Sequence, residues 1–256
     1  MILNFERNEQ QQPENRETLV LIHGLFGSLS NLGMLARAFQ QSHDVIQIDV
    51  RNHGHSDHAE AMNYDVMAED IIETLDSINV NQFSVIGHSM GGKIAMKLTE
   101  VAPQRLNKLI VLDIAPFHYQ KDNHSEIFKA LFAVREAQVT TRKEATEIMK
   151  NYIREDMVIQ FLLKSFNKDG WLFNIDSLFN HYADIQAWTK LPIWDKSTLF
   201  IRGGNSPYIQ KDQHISAIDE QFSDVQLETI PNAGHWLHAE KTSEVVAIIQ
   251  QYLNSI

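Results

Sequence analysis

The stretch Val85-Ile86-Gly87-His88-Ser89-Met90-Gly91-Gly92 decides the fold, and its flanks matter as much as the Gly-x-Ser-x-Gly inside it. Upstream, Phe83-Ser84-Val85-Ile86 is a short β-branched and aromatic run, the pattern of a buried strand. Downstream, Lys93-Ile94-Ala95-Met96-Lys97-Leu98 has helical composition, with Ile94 and Leu98 four apart on one face. Strand, sharp turn and helix form the setting in which this motif lifts a serine hydroxyl above a sheet. Gly87 and Gly91 carry no Cβ, so strand and helix can close around a strained central residue. The same letters also fit a glycine-rich turn with no chemistry, so the decision passes to the rest of the chain.

Working outward, Thr18-Leu19-Val20-Leu21-Ile22 is a continuous apolar run, as in a strand covered on both faces. It ends in His23-Gly24-Leu25-Phe26-Gly27-Ser28 and a helical stretch over 31–41. Asp44-Val45-Ile46-Gln47-Ile48-Asp49 is another strand, leading into the turn 51–56. Met67, Ile71, Leu75 and Ile78 then recur at helical spacing. A strand at 109–113 follows the serine turn and its helix. This alternation predicts an α/β architecture, a mostly parallel sheet flanked by helices. Ahead of it, 1–16 reads as an edge strand running into a polar loop or hairpin. From 117 to 190 the alternation stops, and helical stretches without strands are expected at 125–137, 141–153 and 157–166, then a Trp- and Phe-rich run at 171–188. Strands at 198–201 and Val225–Ile230, with helices at 210–221 and 242–253, resume the pattern. The expected organisation is a core of 1–116 and 191–256 with a helical lid, 117–190, inserted in it.

The 256 residues are 43% hydrophobic and 21% charged, which suits a soluble globular chain with a substantial core. A formal net charge of −11 argues against nucleic acid as a partner. No cysteine is present, which removes disulfides, thiolate catalysis and Cys-ligated zinc and fits a reducing compartment. Residues 1–7 lack a basic leader with a long apolar core, and no apolar run approaches a membrane span. A cytoplasmic protein, no membrane partner and no cofactor are the resulting expectations. Oligomeric state is not legible.

A serine hydroxyl needs a base to remove its proton, and the base needs a third group to fix its tautomer. His235, in Ala233-Gly234-His235-Trp236 after the last strand, is placed to swing back over Ser89 in a way that His214 and His238 are not. For the acid, the loop Gly203-Gly204-Asn205-Ser206-Pro207-Tyr208 holds no carboxylate, and Asp113 at the end of an apolar strand is the natural substitute. An aspartate there is costly to bury without a partner. Capping of the Ala115-Pro116 turn is its other reading, and Asp195 and Asp212 are weaker candidates for the acid. Donors for a developing oxyanion would be the backbone N–H groups of Met90 and Leu25, with Phe26 as a wall of the acyl pocket.

His-Gly at 23–24, Gly-His-Ser-Met-Gly-Gly at 87–92 and Gly-His-Trp at 234–236, in that order, resemble the α/β-hydrolase fold from end to end. The chain is most similar to the small bacterial YbfF-type esterases. The carrying motifs are Asp49-x-Arg51-Asn52-His53-Gly54-x-Ser56, Asp113-Ile114-Ala115-Pro116, Phe161-Leu162-Leu163-Lys164-Ser165-Phe166 and the acid-free 203–208 loop. The resemblance implies a Ser89–His235–Asp113 triad hydrolysing small-molecule esters or thioesters, acyl-CoA among them. A C–C hydrolase or lyase on the same fold is the second class.

A rival is written in His53-Gly54-His55-Ser56-Asp57-His58, which matches the metal-binding H-x-H-x-D-H of metallo-β-lactamase-like hydrolases. That reading uses one motif and gives no reason for the serine turn, so no metal is expected; the bland alternative is a tight turn in which Asn52 and Gly54 take left-handed angles. In the lid, Phe117 and its aromatic neighbours suggest an apolar acyl or alkyl group, although most should be the lid's own core. Lys121, Arg135 and Arg154 are candidates for CoA phosphates, against a plainer role as solvated surface.

Overall fold

The computed structural model describes residues 1–8, 17–120 and 124–255, so the polar stretch at 9–16 and Lys121 lie outside the described residues. In chain order the strands are β1 (Phe5–Asn8), β2 (Thr18–Ile22), β3 (Asp44–Ile48), β4 (Phe83–His88), β5 (Leu106–Leu112), β6 (Phe166–Asn167), β7 (Gly170–Trp171), β8 (Thr198–Gly203) and β9 (Val225–Ile230). The helices are α1 (Gly33–Phe39), α2 (Tyr64–Ser77), α3 (Met90–Val101), α4 (Ser125–Glu136), α5 (Arg142–Met149), α6 (Asp156–Leu163), α7 (Ile175–Asn180), α8 (Tyr182–Gln186), α9 (Asp212–Gln221), α10 (Leu237–Glu240) and α11 (Thr242–Leu253). Seven strands form one sheet in the order β1-β3-β2-β4-β5-β8-β9. Within this sheet β1 runs antiparallel against β3, and the other described pairings are parallel.

The interior strands are mostly apolar because both faces are covered, with Gln47 and Ser84 as buried polar exceptions. Leu19, Leu21, Ile86, Ile110 and Leu112 pack with Leu35 and Phe39 of α1 and Val245 and Ile249 of α11. Their neighbours Val20, Ile22, Val85, Leu109 and Val111 point the other way, into the layer holding α2 and α3. Strand alternation thus splits one apolar run between two cores.

Between β5 and β8 lie α4 to α8 and a separate hairpin, β6–β7. That hairpin corrects the expectation of a strand-free segment. Gly170, at φ 109°, supplies the turn conformation that closes it. The expected helix at 157–166 accordingly stops at Leu163, and the aromatic run at 171–188 resolves into two short helices meeting at His181. Polar ties fasten this segment to the sheet domain. Asn174 N–H donates to Asn52 O (2.9 Å), Ser165 Oγ to Phe26 O (3.0 Å) and Tyr64 OH to Ile185 O (2.6 Å). Among the described residues no helix is long and apolar enough to cross a membrane.

Candidate active site

Ser89 stands between β4 and α3 with φ 54° and ψ −119°, a left-handed angle that strains any residue with a Cβ. Close packing around it enforces the turn. A Cβ on Gly87 would lie 2.2 Å from the carbonyl oxygen of Gly91, and one on Gly91 would lie 2.2 Å from that of Ile22. Ser89 N–H donates to Leu112 O (3.0 Å), and its own carbonyl accepts from Gly92 (2.8 Å) and Lys93 (3.1 Å), which starts α3. Met90 is the first helical residue, so its N–H belongs to the set that a helix leaves without internal acceptors.

Two loops bring the expected partners to Ser89. His235, between β9 and α10, places Nε2 3.0 Å from Ser89 Oγ and Nδ1 2.7 Å from Asp113 Oδ2. A carboxylate only accepts, so Nδ1 carries the proton and Nε2 faces the serine as a bare acceptor. Asp113 follows β5 at φ 56° and is fully buried. It also accepts the Gly203 N–H at Oδ1 (2.9 Å) and the Ser206 hydroxyl at Oδ2. Those donors are what allow a buried carboxylate here. Asp195 and Asp212 are exposed. Ser206 was not singled out in the sequence. Its signal was a hydroxyl in the same 203–208 loop that lacks a carboxylate.

Buried histidines shape the neighbouring loop. His23 Nε2 accepts the Val50 N–H (3.0 Å) while its Nδ1–H donates to Gly24 O (2.8 Å). His53 Nε2 accepts the Phe26 N–H (3.1 Å) while its Nδ1–H donates to Arg51 O (3.0 Å). Burial pushes both below the usual imidazole range, His53 to about 3. Both are therefore neutral braces for the turn through Gly24, Leu25 and Phe26. A Cβ on Gly24 would come within 3.2 Å of Ser89 Cβ, which sets how close this loop approaches the serine.

The same bonds dispose of the metal reading. Both ring nitrogens of His53 are engaged by the backbone, whereas His55, Asp57 and His58 are exposed. Among the described residues no three His, Cys, Asp or Glu side chains are grouped to hold a metal ion. The turn instead wraps the buried Asp49, which accepts the N–H groups of Leu29 (2.7 Å) and His55 (2.9 Å). Asn52 and Gly54 do take left-handed angles, φ 63° and 56°, and a Cβ on Gly54 would strike the Asp49 carboxylate at 2.1 Å.

A cavity of about 930 Å³ opens over Ser89 and His235, between the carboxyl ends of the strands and the 117–190 segment. Leu25, Phe26 and Met90 line it from below, and Ile127, Val158 and Phe161 are among the apolar side chains opposite. Phe117 is not a lining residue. Its ring lies edge-on to Tyr119 and His214, and Tyr119 takes the place on the cavity wall. Arg154 is exposed on the cavity's edge, and Arg135 pairs with Asp176 (2.7 Å) away from it. Lys93, on α3, also reaches the cavity wall, nearly inaccessible to solvent. Its Nζ donates to the carbonyls of Gln186 and Ala187, each at 2.9 Å, with the rings of Tyr64, Tyr119 and Trp188 around it.

Comparison with known proteins identifies the fold and the family. A family model described as the alpha/beta hydrolase fold matches residues 17–242. Esterase YbfF of Escherichia coli K12 is 46% identical over 254 residues, 99% of this chain and 100% of that protein. The sn-1-specific diacylglycerol lipase ABHD11 of Mus musculus is 34% identical, over 92% of this chain and 80% of its own length. A solved marine microorganism esterase superposes with a TM-score of 0.89 at 37% identity, covering 98% of each chain. Conserved architecture over the full length and a serine turn seated on its central strand make this chain a member of the α/β-hydrolase family, in the group of YbfF-type esterases.

Proposed function

We propose that the protein hydrolyses carboxylic esters and thioesters, acyl-CoA among them, through an acyl-enzyme formed on Ser89. The observation that carries this reading is the unbroken hydrogen-bonded series from Ser89 Oγ through His235 to buried Asp113, opening on an apolar cavity. Ser89 Oγ attacks the acyl carbon as His235 Nε2 takes its proton. The resulting oxyanion is met by the N–H groups of Met90 and Leu25, each worth about 3 kcal/mol in a transition state of this kind. Collapse expels the alcohol or thiol, which leaves with the proton from His235. Water then repeats the sequence, with His235 as base, and releases the acid and Ser89. Asp113 holds the imidazole in the required tautomer and stabilises its cation without itself taking the proton.

In this reading 117–190 is an inserted cap whose apolar inner side receives the acyl or alkyl chain, with Phe26 as one wall. Phe117 has a supporting part behind Tyr119. The apolar side chains of Ile127, Val158 and Phe161 on the lining favour a hydrocarbon group against them. A fluorophosphonate should label Ser89 stoichiometrically, and Ser89→Ala should abolish both labelling and turnover of p-nitrophenyl esters and acyl-CoA. Turnover that survives in Ser89→Ala refutes the acyl-enzyme. Activity on a vinylogous diketone but on no ester would transfer the same site to C–C cleavage.

A further inference from the structure

His88 fills the variable place in Gly-x-Ser-x-Gly, and the mechanism above gives it no task. It is the last residue of β4, buried, and covalently next to Ser89. Its Nε2 lies 2.8 Å from the main-chain carbonyl oxygen of His235. A carbonyl only accepts, so Nε2 carries the proton and Nδ1 is bare. Nδ1 faces Gly24, where an added Cβ would come within 3.1 Å of it. Ring centroids separate His88 from His235 by 4.8 Å and from His238 by 4.4 Å.

We propose that His88 is a positioning residue whose Nε2–H holds the main chain of His235, so that one strand end registers both nucleophile and base. Ser89 meets the imidazole of His235 while His88 holds the backbone behind it. The catalytic consequence rests on the acyl-enzyme reading; the hydrogen bond itself does not. Other main-chain ties on this loop fall on the neighbours of residue 235, and Trp236 O accepts from the N–H groups of Ala239 (2.8 Å) and Glu240 (2.9 Å). Ala233 O accepts from Asn205 N–H (2.9 Å), and Gly234 N–H donates to Glu240 (2.8 Å). The His88 bond is thus the backbone tie at the base itself, and it comes from a strand paired on both sides, by β2 and β5.

The chemistry of the surroundings suits a fixed donor. Burial, with His238, His235 and His23 nearby, keeps His88 well below the ordinary imidazole range. His238 is pushed down to about 3 by burial, with His235 and Lys164 adding to it, and its Nδ1 finds no partner among the described residues. Two neutral imidazoles therefore stand beside the one that must gain a proton. A cation on His88 would oppose the imidazolium of His235 across a ring separation of 4.8 Å, in a buried setting that screens charge poorly.

Three substitutions and a spectrum test this. His88→Gln presents an N–H at the reach of Nε2, His88→Asn falls short by one methylene, and His88→Leu has no donor. The Gln variant should stay within about 5-fold of wild-type kcat, while Asn and Leu should lose about 100-fold with KM within about 2-fold, the scale of a 1 Å misplacement. The acid limb of the pH profile should move in Asn and Leu and stay in Gln. A purely structural role would lower the melting temperature of Asn and Leu and leave that limb in place. Long-range ¹H–¹⁵N spectra read the same bond without substrate, with His88 remaining Nε2-protonated and neutral from about pH 5 to about pH 9. Titration of His88 in that range, protonation at Nδ1, or equal kcat in all three variants would overturn the proposal. Turnover retained by Ser89→Ala would instead remove the acyl-enzyme reading, with the spectra still deciding the His88 bond.

Discussion

At the scale of single residues, the tightest constraint is on Asp113. Its Oδ2 is shared between His235 Nδ1–H and the Ser206 hydroxyl, and its Oδ1 accepts Gly203 N–H. Asp113→Asn keeps the shape but offers an N–H toward the imidazole, forcing the tautomer in which Nε2 is protonated and cannot accept from Ser89. A loss of about 10⁴-fold in kcat with little change in KM is expected, and a loss under tenfold would remove Asp113 from the triad. Ser206→Ala leaves the carboxylate one donor short, at a cost of about 1.5–3 kcal/mol for a buried charged acceptor. Urea unfolding should register that cost, and a fall in kcat should accompany it as the carboxylate gains torsional freedom; unchanged values of both would mean the hydroxyl is incidental. Ser89 was legible because glycines on either side mark where a chain must bend, and His235 because its loop follows the last strand. Asp113 was reached through the cost of burying it. Ser206 lies 93 positions from its partner, and no local pattern announces a hydroxyl donated across two loops.

Among the elements, α3 does two tasks, presenting Ser89 at its start and Lys93 one turn later. The interior strands were readable because coverage on both faces keeps them mostly apolar, whereas the two-residue strands β6 and β7 are too short to carry a period. The helical character of Lys93's surroundings was likewise readable, but its fate was not, because lysine in a helix is ordinarily solvated. Burial pushes its ammonium down to about 7 from 10.5, while the three ring faces favour the cation. Two carbonyl acceptors match the two N–H groups of the neutral amine, so deprotonation forfeits neither hydrogen bond. Its folded pKa is therefore depressed, and between about 7 and 10.5 the unfolded chain binds more protons at this group. The Lys93 contribution should accordingly become more favourable as pH rises through that window, by at most about 1.4 kcal/mol per pH unit. Tyr64 and Tyr119, whose phenols burial pushes up, oppose this only above about pH 10. Chemical unfolding of wild type and Lys93→Met at matched pH should give a difference that moves toward wild type between about pH 7 and pH 10. A flat difference would mean that the ring faces keep the ammonium charged.

The whole molecule carries its charge unevenly, and that asymmetry reaches the substrate before any contact does. Residues 117–190 hold 10 Lys and Arg against 10 Asp and Glu, which leaves 12 basic and 23 acidic residues elsewhere of the chain's 22 and 33. The sheet domain therefore accounts for the full net charge of −11, and the cavity opens between it and the neutral segment. Acyl-CoA is a polyanion, whereas a p-nitrophenyl ester of the same acyl length is neutral, so the two report separately on the field and on the chemistry. The field extends about 30 Å at 0.01 M salt and about 8 Å at 0.15 M. Raising salt across that range should increase kcat/KM for acyl-CoA by several-fold and leave the neutral ester unchanged, since only encounter with the anion is opposed. Arg154 on the cavity's edge acts in the other direction over a short range. A fall in kcat/KM for acyl-CoA with added salt, lost in Arg154→Gln, would mean that this local cation governs approach in place of the net charge.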